Sequence, residues 1–141
     1  MLEVKELSVS YGKHRALGNV GLRVNAGELV VILGTNGAGK SSLLRAIGGM
    51  QRCHPGASAK LDGQDLLLDE PSIGLAPLMC AEVFRVIERI RGMGVGILMV
   101  EQNVALSLRI ANRGYLMRNG RVIGEGTARA LSPGRTNGSP L

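Results

Sequence analysis

The distribution of hydrophobic and polar positions predicts several short strands. Positions 2–11 alternate between apolar and polar residues, as do positions 16–24, which is the pattern of strands with one buried face. Positions 28–33 and 95–100 are instead almost continuously apolar, as expected for strands that are buried on both faces. The pattern therefore predicts an α/β domain in which an antiparallel hairpin precedes a mostly parallel sheet.

Helices and a second hairpin follow from the same pattern. The first turns of a helix are predicted at 42–47, a short helix at 104–112, and a closing helix from Thr127. A surface helix covering the sheet is predicted after Pro77, where Met79 is expected to fill the core. Its apolar positions at helical spacing are Met79, Val83, Val86, Ile87 and Ile90. Residues 113–126 predict two strands around an Asn-Gly turn.

A glycine-rich loop lies between the strand at 28–33 and the helix that follows it. Residues 34–41 read GTNGAGKS and fit G-x-x-x-x-G-K-[ST], the phosphate-binding P-loop or Walker A pattern. A strand, a glycine loop and a helix aim backbone N–H groups at a phosphate, which favours this interpretation over a glycine-rich turn that happens to carry a lysine. The predicted nucleotide-binding residues of the loop are Gly34, Thr35, Asn36, Gly37, Ala38, Gly39, Lys40, Ser41 and Ser42.

Two residues of this loop have predicted roles in binding ATP with Mg²⁺. Lys40 would reach the β- and γ-phosphates, and the hydroxyl of Ser41 would ligate Mg²⁺. A second acidic motif, Leu-Leu-Leu-Asp-Glu at 66–70, places two carboxylates at the end of an apolar strand. Such a strand delivers them to the carboxyl edge of a parallel sheet, where folds of this class bind ligands. This matches a Walker B motif, in which Asp69 holds the Mg²⁺ shell and Glu70 polarises the attacking water.

The composition narrows the class of protein. At 141 residues the chain is one domain, long enough to bury a real core. The net charge of +6 comes from 17 Lys and Arg against 11 Asp and Glu residues, but the basic residues are scattered and have no aromatic platform beside them. A solvated basic surface is therefore favoured over a nucleic-acid partner.

The cysteines and the longest apolar runs bear on location. Cys53 and Cys80 lack metal-binding or C-x-x-C spacing, and fit a reducing cytosol as small packing residues. No signal peptide opens the chain, and no apolar run approaches membrane-spanning length. Any work at a membrane is therefore predicted to be that of a peripheral subunit.

The order of these motifs over residues 1–131 resembles the ATP-binding cassette (ABC) ATPases. The opening hairpin resembles their small β-subdomain, and Pro-Ser-Ile-Gly-Leu-Ala-Pro at 71–77 resembles their D-loop. Val-Glu-Gln-Asn at 100–103 resembles their switch strand. The "S-x-G-L-A-P" and "V-E-Q-N" forms are typical of the ATP-binding subunits of branched-chain amino acid importers.

The resemblance implies roles for two further residues. Tyr11 occupies the place of an aromatic residue that stacks on adenine, although an edge-strand tyrosine chosen for β-propensity would look the same. Gln102 occupies the place of a histidine that contacts the γ-phosphate, although it could also be an ordinary polar residue at a strand end. Glutamine can bond a phosphate oxygen or water but does not titrate near neutral pH, so its implied role is sensing and positioning. The implied catalytic residues are Glu70 and Gln102.

The resemblance also shows what the chain lacks. The interval from Lys40 to Asp69 is several times shorter than in the family, and no signature motif of the "L-S-G-G-Q" type occurs. Gln64 is not a credible glutamine loop, because no helical subdomain follows it. Residues 1–131 are thus predicted to form a shortened nucleotide-binding domain that lacks the helical subdomain, and 132–141 a disordered tail.

Two functions stay open on the sequence. The first is the family function, ATP hydrolysis that powers uptake of branched-chain amino acids, with permease subunits and a second ATPase subunit as partners on the cytoplasmic face of the plasma membrane. The second is a non-catalytic remnant that at most binds ATP with Mg²⁺, since the missing segment supplies the half of the family's site that closes over the γ-phosphate. A small kinase is disfavoured by the D-loop and switch motifs.

Overall fold

The structure is a computed structural model that describes residues 2–34, 39–48 and 65–131, together with the backbone of residues 58–61. Thr35, Asn36, Gly37 and Ala38 of the predicted loop lie outside the described residues. So do Cys53, Gln64 and the predicted tail at 132–141.

Eight strands and four helices make up the described part of the chain. Their bounds are β1 Leu2–Tyr11, β2 His14–Val24, β3 Leu29–Leu33, α1 Lys40–Ile47, β4 Ser58–Leu61, β5 Asp65–Asp69, α2 Pro77–Gly92, β6 Gly96–Val100, α3 Val104–Ile110, β7 Arg113–Arg118, β8 Arg121–Thr127 and α4 Ala128–Leu131. An antiparallel three-stranded sheet has the order β2-β1-β4. A five-stranded sheet has the order β5-β6-β3-β7-β8, parallel except for its last pair.

The core lies on both faces of the five-stranded sheet. Val30 and Ile32 of β3 pack with α1 and with the inner face of the antiparallel sheet. Leu29 and Val31 point the other way and pack with the buried side of α2 and with α3. Strands β3 and β6 are buried at every position, as their continuous apolar runs predict. Helix α1 is therefore held between the two sheets, directly after β3.

The packed face of α2 differs from the predicted one. The buried residues of the helix are Cys80, Phe84 and Ile87, at the spacing of one helical face. Met79 is 53% exposed and Val86 is 48% exposed, so the expectation that Met79 fills the core was wrong. Each of these two residues precedes a buried one by a single position, and that step turns a side chain by about 100° around the helix. The predicted apolar set had combined two neighbouring faces of the helix.

The turn between β7 and β8 confirms the predicted hairpin. Asn119 has φ 50° and Gly120 has φ 77°, and positive φ at both central residues matches the twist of an antiparallel pair. The turn also docks on β2, because the amide of Gly18 donates to the carbonyl of Gly120 at 2.8 Å. The hairpin is therefore tied to both sheets.

Arg113 at the start of β7 links the segment before β3 to the rest of the molecule. Its Nε lies 2.8 Å from Oε2 of Glu28, and its Nη2 lies 3.1 Å from Oε1 of the same carboxylate. Its Nη1 donates to the Tyr115 hydroxyl at 2.8 Å. Partial burial raises the pKa of Glu28, but hydrogen bonds from Arg113 and Asn25 outweigh that effect and hold this pKa below 4.5.

The Arg113→Gln variant is expected to lower the free energy of unfolding by about 2 kcal/mol at neutral pH, because two charge-assisted hydrogen bonds to a half-buried carboxylate are lost. A carboxyl with a lowered pKa in the folded state stabilises fully above its unfolded pKa. The difference between wild type and variant should therefore shrink as the pH falls below 4.5 and through the lower folded pKa of Glu28.

Urea titrations across this pH range measure that difference. Arg85→Gln is the matched control, because Arg85 pairs with Glu82 at 2.7 Å but both side chains are 63% exposed. The control should change stability by no more than about 0.5 kcal/mol. Equal losses in the two variants would show that Arg113 has no special role.

Candidate functional site

The sheet order brings three strand ends to one edge. Ile32 of β3 pairs with Val100 of β6, and Val100 pairs with Asp69 of β5, all in parallel register. The residues that follow these strands therefore lie side by side at the carboxyl edge of the sheet. The predicted loop, the paired acids and the Val-Glu-Gln-Asn motif meet there, although they are far apart in the sequence.

Lys40 lies at the centre of this edge, at the first position of α1. It is only 5% exposed, its Nζ donates to the carbonyl of Gly34, and Nζ is 4.0 Å from Oε1 of Glu70. Burial lowers the pKa of Lys40 below 10.5, and the charges of Glu70, Glu101 and Asp69 oppose this in part. The structure thus places one buried lysine at a helix start, within ion-pair distance of the second carboxylate of the Asp-Glu pair.

The start of α1 has the features of an anion site. Gly39 occupies the N-cap position, no side chain caps the helix, and the first turn contains no acidic residue. The positive end of the helix dipole is therefore not neutralised by the helix itself. Gly39 has φ 100°, and an added Cβ would lie 2.9 Å from the carbonyl oxygen of Ala16 and 3.1 Å from Cα of Gly120. Only glycine fits this position without displacing the neighbouring backbone.

Tyr11 lies beside the same helix start. It ends β1, is 40% exposed, and its hydroxyl is 3.4 Å from Oγ of Ser42. A cavity of about 330 Å³ opens between them. Its lining residues are Tyr11, His14, Ala16, Gly39, Lys40, Ser41, Ser42, Arg45 and Glu70. The structure therefore brings Tyr11, the described end of the loop and Glu70 into one cavity.

Sequence reasoning missed two residues that line this cavity. His14 begins β2, directly after the turn that follows Tyr11. Arg45 lies on α1 four positions after Ser41. Residues four apart on a helix share a face, so the position of Arg45 could have been found once Ser41 was placed at the phosphates. His14 carried no comparable signal, because it lies next to Tyr11 only through the β1–β2 turn.

The two acids take different positions at the end of β5. Asp69 is the exposed last residue of the strand. Glu70 has φ 46°, a left-handed conformation that costs a non-glycine residue about 1–2 kcal/mol. The amide of Glu70 donates to the carbonyl of Val100 at 2.8 Å, and its carbonyl accepts from the amide of Ile73 at 3.1 Å. The strained backbone of Glu70 is thus held by neighbouring segments.

The switch segment directly follows β6. Gln102 is exposed and lies between Glu101, which is buried, and Asn103, which caps α3 through a hydrogen bond from the amide of Leu106. Its position at the strand end places it beside the Asp69–Glu70 pair on the neighbouring strand. The predicted placement of Gln102 at the sheet edge agrees with the structure.

The oxygen donors of this edge suit a hard cation. Ser41 in the first turn of α1 offers a hydroxyl, and Asp69 at the end of β5 offers a carboxylate. Magnesium is commonly held by one or two protein oxygens together with substrate phosphates and water. Among the residues that the structure describes, no group of three or more His, Cys, Asp or Glu could hold a metal. The donor set therefore fits a shared magnesium site better than a closed protein cage.

Comparison with known proteins identifies the family. The family model of the ABC transporter matches residues 17–114, which is more than half of the chain. The chain belongs to this family. It is an ATP-binding domain of the ABC type, an ATPase by family resemblance, and it is shortened relative to its relatives. No helix in the described segments is long and apolar enough to cross a membrane.

Two curated relatives show how the shortening is distributed. The high-affinity branched-chain amino acid transport ATP-binding protein BraG of Pseudomonas aeruginosa is 26% identical over 221 residues, covering 93% of this chain and 94% of BraG. That alignment is longer than the chain itself, so BraG contains a long internal segment without a counterpart here. A sulfate/thiosulfate import ATP-binding protein of Rhodopseudomonas palustris is 38% identical over 112 residues, covering 79% of this chain and 29% of the relative.

A solved structure confirms the fold. A dimeric ATP-binding cassette, in a post-hydrolysis state bound to ADP and Pi, superposes with a TM-score of 0.82 at 15% identity. The match covers 92% of this chain and 99% of the other. The predicted α/β core with a mostly parallel sheet and an antiparallel subdomain is therefore confirmed.

Proposed function

We propose that this chain binds ATP with Mg²⁺ at the carboxyl edge of its central sheet, as the ATP-binding subunit of a branched-chain amino acid importer. The observation that carries the binding proposal is the buried Lys40, which lies at the uncapped start of α1 and 4.0 Å from Glu70. A cation and a helix N-terminus that face the same space suit a phosphate chain.

Each residue of the edge has a role in this proposal. Lys40 contacts the β- and γ-phosphates, and the loop residues Thr35–Ala38 surround them with backbone amides. Tyr11 stacks on the adenine from the far side of the cavity. Ser41 and Asp69 hold Mg²⁺, whose charge offsets that of the phosphates when it is bound. Glu70 accepts a proton from the attacking water, and Gln102 positions the water or a γ-phosphate oxygen.

The substrate proposal rests on the relatives and on two sequence variants. BraG aligns along almost the whole chain, whereas the sulfate/thiosulfate relative aligns with 29% of its own length. The "S-x-G-L-A-P" form at 72–77 and the "V-E-Q-N" form at 100–103 add to this resemblance. In this role the subunit lies on the cytoplasmic face of the membrane, with permease subunits and a second ATPase subunit as partners.

A second candidate function is ATP binding without steady turnover. The segment that BraG has and this chain lacks favours it, because the sequence contains no signature motif to close over the γ-phosphate. The residues that would bind ATP are retained, whereas the other half of a composite site is not encoded. Steady-state phosphate release separates the two candidates.

The Glu70→Gln variant is expected to release phosphate about 100-fold more slowly than wild type, because an amide cannot accept the proton of the attacking water. Its ATP affinity should stay within about threefold of wild type, since Glu70 does not bind the adenine or the loop amides. Phosphate release and calorimetric ATP titration measure the two quantities.

The outcomes of this comparison are distinct. Wild-type turnover above that of the Glu70→Gln variant supports the importer ATPase. Turnover equal in both, with ATP binding intact, supports the second candidate. Absence of ATP binding, seen as a melting temperature that ATP with Mg²⁺ leaves unchanged, would contradict both.

A further inference from the structure

The carboxylate of Glu101 joins two segments of the candidate site. It lies directly after β6 and is 2% exposed. Its Oε2 accepts from the Ser72 hydroxyl at 2.8 Å and from the Ser72 amide at 3.2 Å. Its Oε1 accepts from the amides of Gln102 at 3.0 Å and Asn103 at 3.4 Å. Each oxygen of this one carboxylate thus serves a different segment.

Four hydrogen bonds explain how a buried carboxylate is tolerated here. Removing an ionised carboxylate from water is costly unless its oxygens find donors. Both oxygens of Glu101 have two donors each, and the positive charge of Lys40 lies close enough to be affected by it. An apolar residue would fill the same space without this cost, so burial alone does not account for a glutamate.

The Ser72 segment carries Glu70. Ser72 lies two positions after Glu70 and is itself 8% exposed. Its amide and hydroxyl bond Glu101, and its carbonyl accepts from Sγ of Cys80 at 3.6 Å. Glu70 has a strained, left-handed backbone, and such a conformation persists only where the surroundings fix it. The bonds to Ser72 hold the turn that follows Glu70.

The other segment carries Gln102, whose amide bonds Glu101 directly. We propose that Glu101 is a positioning residue that fixes Glu70 and Gln102 relative to each other. The reactive role of that pair rests on the proposed function, whereas the link between the two segments does not. Glu101 touches neither nucleotide nor water in this scheme and acts through the two residues it holds.

Glu101→Gln tests this link with almost no change of volume. An amide has one oxygen and one NH₂ group, so one of its ends would place donors against the donors of Ser72 or of Gln102 and Asn103. Amide hydrogen exchange is expected to rise about 10-fold at 70–74 and at 101–104, because the two segments no longer hold each other. Exchange in the β7–β8 hairpin should stay at the wild-type rate.

Turnover gives a second readout that a purely structural role would not separate. In Glu101→Gln, kcat is expected to fall about 30-fold while the ATP dissociation constant stays within about threefold, because misplaced reactive groups impair the reaction more than binding. Glu101→Asp keeps the charge but is one methylene shorter, so it should not rescue kcat. Glu82→Gln is the matched control at an exposed site and should change neither quantity.

Local exchange decides the proposal even if the protein does not hydrolyse ATP. Faster exchange confined to the two segments supports it, and unchanged exchange at either segment overturns it. Uniformly faster exchange throughout the molecule also overturns it, because Glu101 would then stabilise the fold as a whole. Failure of wild type to bind ATP would instead overturn the proposed function and leave the exchange result to decide the role of Glu101.

Discussion

Gly120→Ala is expected to leave little folded protein. A Cβ at this position would lie 2.1 Å from the carbonyl oxygen of Ala16, 2.8 Å from its carbonyl carbon and 3.1 Å from Cα of Leu17. All three are backbone atoms, so no side-chain rotation relieves the contact. The variant should lose at least about 4 kcal/mol of stability, a large part of the ~5–15 kcal/mol typical of a domain. Circular dichroism during urea titration measures the loss.

Gly12→Ala separates this clash from the effect of the turn conformation. Gly12 also has a positive φ, of 60°, and lies in the other hairpin turn, but an added Cβ would meet nothing within 4 Å. Only the cost of the left-handed backbone remains, which is about 1 kcal/mol. Equal losses in the two variants would mean that the contact between the β7–β8 turn and β2 does not limit stability.

Lys40→Met is expected to weaken ATP binding at least about 100-fold, because a buried charge partner of the phosphates is replaced by an apolar group. The methionine keeps much of the length of the side chain, and the position is only 5% exposed, so the local packing is retained. Calorimetric titration with ATP and Mg²⁺ measures the affinity. Binding as tight as in wild type would contradict the placement of the phosphates beside Lys40.

The same lysine predicts how affinity depends on pH. Burial lowers the pKa of Lys40 below 10.5, and a bound phosphate chain would raise it again because the negative charge favours the protonated form. ATP binding should therefore take up a proton in the alkaline range, and affinity should fall as the pH rises through the lowered pKa.

Lys40→Arg provides the control for this pH dependence. Arginine stays charged throughout the range, so its affinity should be flat where that of wild type declines. Its absolute affinity is expected to be lower, because a wider guanidinium must fit the same buried position. Parallel slopes in the two proteins would show that Lys40 does not cause the pH dependence.

Local patterns were enough to predict the main elements. The continuous apolar runs predicted β3 and β6, and the Asn119–Gly120 pair predicted the hairpin that the structure confirms. These signals depend on residues a few positions apart, so they survive without knowledge of the fold. The error at Met79 arose where one turn of ambiguity in helical phase could be settled only by the sheet against which α2 packs.

The site was predictable in its chemistry but not in its connections. The loop ending in Lys40 and Ser41, and the pair Asp69 and Glu70, combine residue types whose spacing has a direct chemical meaning. Glu101 carried no such signal, because its value lies in a hydrogen bond to Ser72, 29 positions away in the sequence. Such a contact exists only because β5 and β6 are neighbours in the sheet.

The sequence alone established an ABC-type nucleotide-binding chain with a phosphate loop, paired acids and a shortened middle, because motifs and missing segments are local properties of a sequence. Tertiary structure decided which distant groups meet. It placed Lys40 beside Glu70, docked the Gly120 turn on Ala16, and joined the Glu70 and Gln102 segments through Glu101. Strand order sets these contacts, and strand order depends on how the whole chain buries its apolar surface.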